Sequence, residues 1–293
     1  MALLDGKLIS DIFKKKIKEE SSNFFFYKHR KPHLAALLIG NNPASEVYVA
    51  SKIRSCEEVG FISTLKRFDN EVDEKTVLEL ISNWNLDPHI DGILVQVPLP
   101  YHIKEESITE AISPKKDVDG FHPNNLGRMI KNLPTYISAT PLGILKLMEA
   151  YKLETLGKHC VVLGRSHNVG SPISILMSRP SYPGNCTVTL CHSKTHNLNE
   201  ILIQADILIV AVGSPELIRG EMLKSGVIII DVGMNRVKDL TRKSGTRLVG
   251  DVHFESAEKI ASYITPVPGG VGLMTIIGLL ENTLLAAKGD IYG

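Results

Sequence analysis

Apolar and polar positions fall in blocks whose period switches repeatedly between helix and strand. From Leu8 to Ser21, Ile9, Ile12, Phe13 and Ile17 share one side of a helix. Phe24-Phe25-Phe26-Tyr27 is too short a run to cross a membrane and is expected in the core. His33 to Ile39 reads as a buried strand. After Gly40, Asn42 suits a helix N-cap and Pro43 the first helical position, with Gly60 as the stop. The spacing then predicts strands at Ile62 to Phe68 and Ile90 to Val95, with a helix at Glu74 to Trp84 between them. Pro114 to Tyr136 shows no period and is expected to be a long functional loop. A connecting helix at Pro141 to Tyr151 leads into a second strand series: His159 to Leu163, Thr187 to Cys191, Ile207 to Val212 and Val227 to Val232. Met274 to Lys288 is the last helix.

Strands alternating with helices imply parallel sheets, so the class is α/β with two domains. A boundary near Ser138 gives an N-terminal α/β domain at 1–138 and a Rossmann-like domain at 139–271, with the helix of 272–293 packing back on the first. A cleft between the domains is expected to serve the reaction. No internal repeat is visible in the sequence.

Composition narrows the class further. The chain has 293 residues, 33 Lys+Arg and 32 Asp+Glu, a net charge of +1 that gives no global reason for a nucleic-acid or membrane partner. No apolar run approaches the roughly 20 residues a membrane helix needs. Met1 to Lys7 leads into charge rather than an apolar run, so no leader is expected. Cys56, Cys160, Cys186 and Cys191 form no CxxC pair; a zinc site is not expected, and reduced thiols in the cytoplasm are.

Val161 to Pro172 (VVLGRSHNVGSP) joins an apolar strand to a helix start through a glycine turn. Gly164 and Gly170 would let backbone N–H groups approach a pyrophosphate, although Ser166 occupies the second glycine position of the usual GxGxxG. A purely structural strand–turn–helix has the same pattern. The following strand ends in TLCHSKT without the acid that would hold a ribose 2′-OH. Ser193, Lys194 and Arg165 instead suit a 2′-phosphate and favour NADP, the alternative being a solvated basic turn. Gly213 and Gly233 end later strands in turns that could line the nicotinamide side.

In the first half, Tyr48 and Lys52 share one helix face beside the apolar stripe of Val49, Ile53 and Cys56. A partly desolvated lysine can carry protons near neutrality; an exposed lysine beside an interfacial tyrosine is the plainer alternative. Gln96 ends an apolar strand, where parallel sheets bind ligands. Asp117 and Asp119 could take a metal, or one of them a heterocyclic amide and amine. Pro266 to Gly272 forms a stiff strip poor in side chains, against which a flat ligand could lie.

Taken together, YVASK (48–52), DGILVQVPLP (91–100), PKKDVDGFHPNNLG (114–127), GRSHNVGSP (164–172), VTLCHSKT (188–195), DVGMNR (231–236) and ITPVPGGVGLMT (264–275) resemble the bifunctional methylenetetrahydrofolate dehydrogenase/methenyltetrahydrofolate cyclohydrolase family. They run in family order across nearly the whole chain. The resemblance implies a folate-binding catalytic domain and an NADP-binding domain in a homodimer of one-carbon metabolism, with no metal. By that resemblance Lys52 is the catalytic lysine, Gln96 tunes it, Tyr48 stacks on the aminobenzoyl group and Asp119 anchors the pterin. Pro268, Gly269 and Gly272 match the strip beside the folate. Gly164, Arg165, Ser166, Ser193 and Met234 match cofactor positions. Three places depart from the family: Ala139 where many members have Cys, Leu273 for the usual Pro, and His196-Asn197 after HSKT. A monofunctional NAD-linked dehydrogenase and a non-enzymatic folate- or nucleotide-binding protein are the alternatives.

Overall fold

A computed structural model describes residues 1–242 and 245–292. In chain order the elements are β1 (Ala2–Leu3), α1 (Gly6–Lys28), β2 (His33–Ile39), α2 (Pro43–Glu58), β3 (Ile62–Phe68), α3 (Glu74–Leu86), β4 (Gly92–Val95), α4 (Glu105–Ala111), α5 (Pro123–Ile130) and α6 (Ala139–Ala150). They continue with β5 (His159–Leu163), α7 (Gly170–Ser178), β6 (Thr187–Cys191), α8 (Leu198–Leu202), β7 (Ile207–Val210), β8 (Ile228–Asp231), β9 (Asn235–Lys238), β10 (Thr246–Val249), α9 (Phe254–Ala257), β11 (Tyr263–Ile264) and α10 (Val271–Lys288).

The chain divides into two compact units. One holds Asp11–Ala139 and the segment from Ile276 on. Its parallel sheet has the order β3-β2-β4. Ala35, Leu37 and Ile93 of the sheet are buried with Val77, Ile81 and Trp84 of α3. Asn42 caps α2, its side chain accepting from Ala44 N and Ser45 N, and Pro43 supplies the first-turn residue that needs no N–H partner.

The other unit holds Met1–Ser10 and Thr140–Thr275. Its six-stranded sheet, β1-β11-β8-β7-β5-β6, is parallel throughout. Strand order reverses between β5 and β7, which is the ligand-binding crevice of doubly wound folds. Val161, Leu163, Leu208, Val210 and Ile229 form its core with Leu202 and Ala257. The sequence placed the first ten residues in the N-terminal domain. They lie in this unit because Ala2 and Leu3 pair with Tyr263 and Ile264 of β11.

Several expectations need correction. Helix α1 runs on to Lys28, and of the aromatic run only Phe24 is buried, at 6%, against 72% exposure for Phe26 and 76% for Tyr27. The stretch from Pro114 to Tyr136 contains α5, capped by His122 Nδ1 accepting from Asn124 N. The antiparallel hairpin β9–β10 and helix α4 were not foreseen. Helix α10 does reach spanning length and apolarity, with mean hydropathy 1.4 over 18 residues, but 67% of it is buried in the protein. That is the profile of a core helix.

Candidate active site

In the first unit, α2 and the end of β4 bring Lys52 and Gln96 together. Lys52 Nζ donates to Gln96 Oε1 at 3.1 Å. Gln96 Nε2 donates to the Val97 carbonyl at 2.7 Å, which fixes the amide so that its oxygen faces the lysine. Both residues are buried, Lys52 at 5% exposure. The Lys52 ammonium lies 4.7 Å from the centre of the Tyr48 ring, as their four-residue spacing on the helix requires. Burial pushes the Lys52 pKa down, opposed by the nearby charges of Asp119 and Cys56.

The two aspartates of the following loop do different work. Asp117 is buried and accepts from Phe121 N, His122 N and Asn125 Nδ2 at 3.2, 2.8 and 2.8 Å. Its carboxylate is occupied in shaping the loop. Asp119 is not engaged in this way: among the described residues none donates to its carboxylate. Burial raises the Asp119 pKa to about 6, with Lys52 pulling the other way. It lines a cavity with Val97, Leu99, Ile108 and Phe121. Tyr48, Lys52, Gln96 and Asp119 therefore form one group.

In the second unit, Gly164 closes β5 with φ +115°, and a Cβ there would run into the Ala211 carbonyl at the end of β7. A Cβ on Gly170 would in turn run into the Gly164 carbonyl. The turn is therefore a cradle that only glycine can line. Ser166 Oγ accepts from Val169 N at 3.2 Å and lies 3.4 Å from Gly170 N, closing the first turn of α7. Arg165, Ser166, Ser193 and Lys194 are exposed, and no carboxylate occupies residues 192–195 after β6. These residues fit a dinucleotide with a 2′-phosphate: N–H donors at the turn and cationic or hydroxyl donors beside it. Met234 is half exposed, and a Cβ on Gly272 would meet its Cε at 2.9 Å, so the Pro268–Gly272 strip and Met234 are neighbours. Gly269 has φ +108°, which suits a main-chain strip.

Sequence reasoning gave no role to Asp251. It is fully buried; its Oδ2 accepts from Val212 N and Gly213 N, and its Oδ1 from Ser214 N and Asn235 Nδ2. The only signal was an aspartate directly after a glycine at the end of a short strand. A larger cavity of about 350 Å³ lies at the amino ends of strands in this unit, where Lys224 pairs with Asp206, and it holds none of the site residues.

Fold and site define a two-unit α/β protein in which a doubly wound nucleotide-binding sheet accompanies a buried lysine–glutamine–aspartate site. Residues 4–119 match the catalytic-domain model of the tetrahydrofolate dehydrogenase/cyclohydrolase family, and residues 138–291 match its NAD(P)-binding-domain model. The chain is 54% identical to the bifunctional protein FolD of Cytophaga hutchinsonii over 98% of its own length and 99% of the relative's. It is 52% identical to the protein of the same name from Porphyromonas gingivalis, covering 98% of this chain and 97% of that one. Among solved structures, the bifunctional FolD dehydrogenase/cyclohydrolase of Campylobacter jejuni superimposes with TM-score 0.92 at 45% identity, covering 99% of each chain. The Trypanosoma brucei enzyme, solved with NADP and an inhibitor, gives TM-score 0.94 at 34% identity over 100% of this chain and 99% of the other. The chain belongs to the tetrahydrofolate dehydrogenase/cyclohydrolase family.

Proposed function

We infer that the protein oxidises methylenetetrahydrofolate to the methenyl form with NADP, then hydrolyses it to formyltetrahydrofolate. The observation that carries this reading is the buried Lys52, held by Gln96, with its pKa lowered by burial. An ordinary surface lysine would stay protonated and could not take a proton near neutrality.

Tyr48 offers a ring face for the aminobenzoyl group, and Asp119 offers an acceptor for the amide and amine edge of the pterin. NADP, when bound, accepts the hydride from the one-carbon bridge. Gly164, Arg165, Ser166 and Ser193 hold its phosphates, and Met234, Pro268, Gly269 and Gly272 line the reacting side. The oxidised bridge is electrophilic. Lys52 moves the proton as water adds to it and the ring opens, and Gln96 keeps the ammonium in place. The absence of an acid after β6 favours NADP over NAD. Four free, buried cysteines suit a reducing cytoplasm. A homodimer rests on the family resemblance, and sedimentation velocity tests it.

Absorbance of the purified protein with methylenetetrahydrofolate and either NADP or NAD tests the assignment. Reduction with NADP and no lasting methenyl absorbance is expected. Accumulated methenyl-folate would remove the cyclohydrolase, and no reduction with either nucleotide would remove the enzyme.

A further inference from the structure

The loop after β7 flanks the crevice where strand order reverses, the loop after β8 is next to it in strand order, and a residue outside both holds them. Val212, Gly213 and Ser214 donate three consecutive backbone N–H groups to the Asp251 carboxylate, at 2.7, 3.0 and 2.9 Å. Asn235, next to Met234, adds a fourth donor at 2.8 Å. Asp231 secures the base of the arrangement: its carboxylate accepts from Gly233 N, Asp251 N and Val252 N. The packing allows no slack. A Cβ on Gly233 would strike Asp251, and one on Gly250 would strike Asp231.

The geometry also fixes what the first loop can offer. Its N–H donors point inward at Asp251, while Gly213 is exposed, with φ +66° and open space where a Cβ would stand. With those N–H groups engaged, the main chain of 212–214 has only its carbonyl oxygens left to offer a ligand. Such a surface suits a ring or a carboxamide NH₂, whereas a phosphate needs the N–H donors of the Gly164 turn. We propose that Asp251 is a positioning residue for the dehydrogenase: one buried carboxylate that holds loops 212–214 and 233–235 in the geometry that receives the nicotinamide end of NADP. The proposal rests on the NADP-dependent reading above.

Asp251→Asn keeps the volume but turns an NH₂ toward two of the four donors. Asn235→Ala removes one donor and leaves the loop 212–214 contacts, so it stands in if the first variant does not fold. Each is compared with wild type by calorimetric titration with NADP, dehydrogenase kinetics and cyclohydrolase rate on methenyltetrahydrofolate. We expect the NADP Kd and KM to rise roughly tenfold or more in Asp251→Asn and about threefold in Asn235→Ala, since charge-assisted hydrogen bonds are the stronger kind. Cyclohydrolase should stay within about twofold of wild type, because Lys52 and Gln96 lie in the other unit. A lowered melting temperature with unchanged NADP Kd and KM in the folded variants would overturn the proposal and leave Asp251 a purely structural residue. A wild type that binds NADP without reducing it would overturn the assigned reaction, while the Kd comparison would still decide the role of Asp251. A wild type that binds no NADP would overturn both.

Discussion

The strands β3-β2-β4 of one unit and β6-β5-β7 of the other are built alike at their amino ends. His33 opens β2 and His159 opens β5. Each donates its backbone N–H to an aspartate before the next strand in the sheet, Asp91 or Asp206, at 2.9 Å in both cases. Each imidazole bridges a backbone carbonyl and a threonine on the other neighbouring strand: His89 O and Thr64 Oγ1, or Gln204 O and Thr189 Oγ1. A carbonyl can only accept, so Nδ1 is the donor in each ring, and Nε2 pairs with the threonine hydroxyl. Each aspartate also pairs with a cation, Arg30 or Lys224. Each central strand ends in a glycine of positive φ, Gly40 or Gly164, that donates to the end of its neighbour, Phe68 O or Cys191 O.

At the carboxyl ends the likeness stops. In the first unit the helix starts three residues after Gly40, and the polar groups come from side chains: Tyr48 and Lys52 on α2, Gln96 after β4. In the second, the helix starts six residues after Gly164, and the turn between is close-packed backbone that leaves no room for a Cβ at either glycine. On the proposed function, one frame thus serves two chemistries. Proton transfer needs a titratable side chain with a tuned pKa, whereas holding a pyrophosphate needs close main-chain approach.

The sharpest test of that division is Lys52→Met. Removal of a positioned proton carrier should lower cyclohydrolase rate by roughly 10²- to 10⁴-fold. The NADP Kd should stay within about twofold, since the second unit is untouched. A variant that hydrolyses methenyltetrahydrofolate at full rate would strip Lys52 of its role.

The two equivalent glycines should then part company. A Cβ on Gly40 would meet the Asn70 Oδ1 at 3.2 Å, a side-chain atom that can move. A Cβ on Gly164 would meet the backbone carbonyl of Ala211, which cannot. Gly164→Ala should weaken NADP binding on the order of a hundredfold, as misplacement by about 1 Å does elsewhere. Gly40→Ala should cost about 1–2 kcal/mol of left-handed strain and leave the NADP Kd alone. Equal NADP affinities in the two variants would break the contrast.

How much of this was legible in the sequence depended on how local its cause was. Helix α2 was readable because Asn42 and Pro43 define its start within three residues. Strands β2, β5 and β7 were readable because nearly every position is apolar. The aromatic run at 24–27 misled because it continues α1 to its end, where Phe24 turns inward while Phe25, Phe26 and Tyr27 stay exposed. Helix α5 escaped because the loop before it is ordered by Asp117, whose donors at 121, 122 and 125 form no periodic pattern. Strand β1 is two residues long and pairs with β11 near the other end of the chain. The shared amino-end frame was also invisible, since it repeats His, Asp and Thr at matching strand positions within otherwise different sequences. Tyr48, Lys52, Gln96 and Asp119 could be picked out by motif; Asp251 could not, because its donors come from two separate segments.

A gentler probe of the contrast is pH. On the proposed reading the ionised Asp119 accepts from a pterin edge, and burial raises its pKa to about 6. As pH falls from 7 to 5 the ionised fraction drops to about a tenth, so the KM for methylenetetrahydrofolate should rise about tenfold. Asp119→Asn should show a weaker but pH-independent KM. The NADP Kd should not follow the same curve. A folate KM that stays flat between pH 7 and 5 would mean that Asp119 does not bind through its charge.

The smallest effect tests the likeness rather than the difference. His33→Ala and His159→Ala each remove two side-chain hydrogen bonds at a partly buried strand start. Each should cost about 1–2 kcal/mol, because the threonine and carbonyl partners can turn to water. Two units can open separately, so a single melting temperature would blur the result. Amide hydrogen exchange resolves it: protection in β2 should fall in His33→Ala, and protection in β5 should fall by a similar factor in His159→Ala. A loss confined to one variant would show that the matching contacts do unequal work, and that the two frames are alike in outline only. Similar losses would show that the amino ends carry the stability common to both units, which leaves the carboxyl ends free to hold a titrating lysine in one and a bare backbone turn in the other.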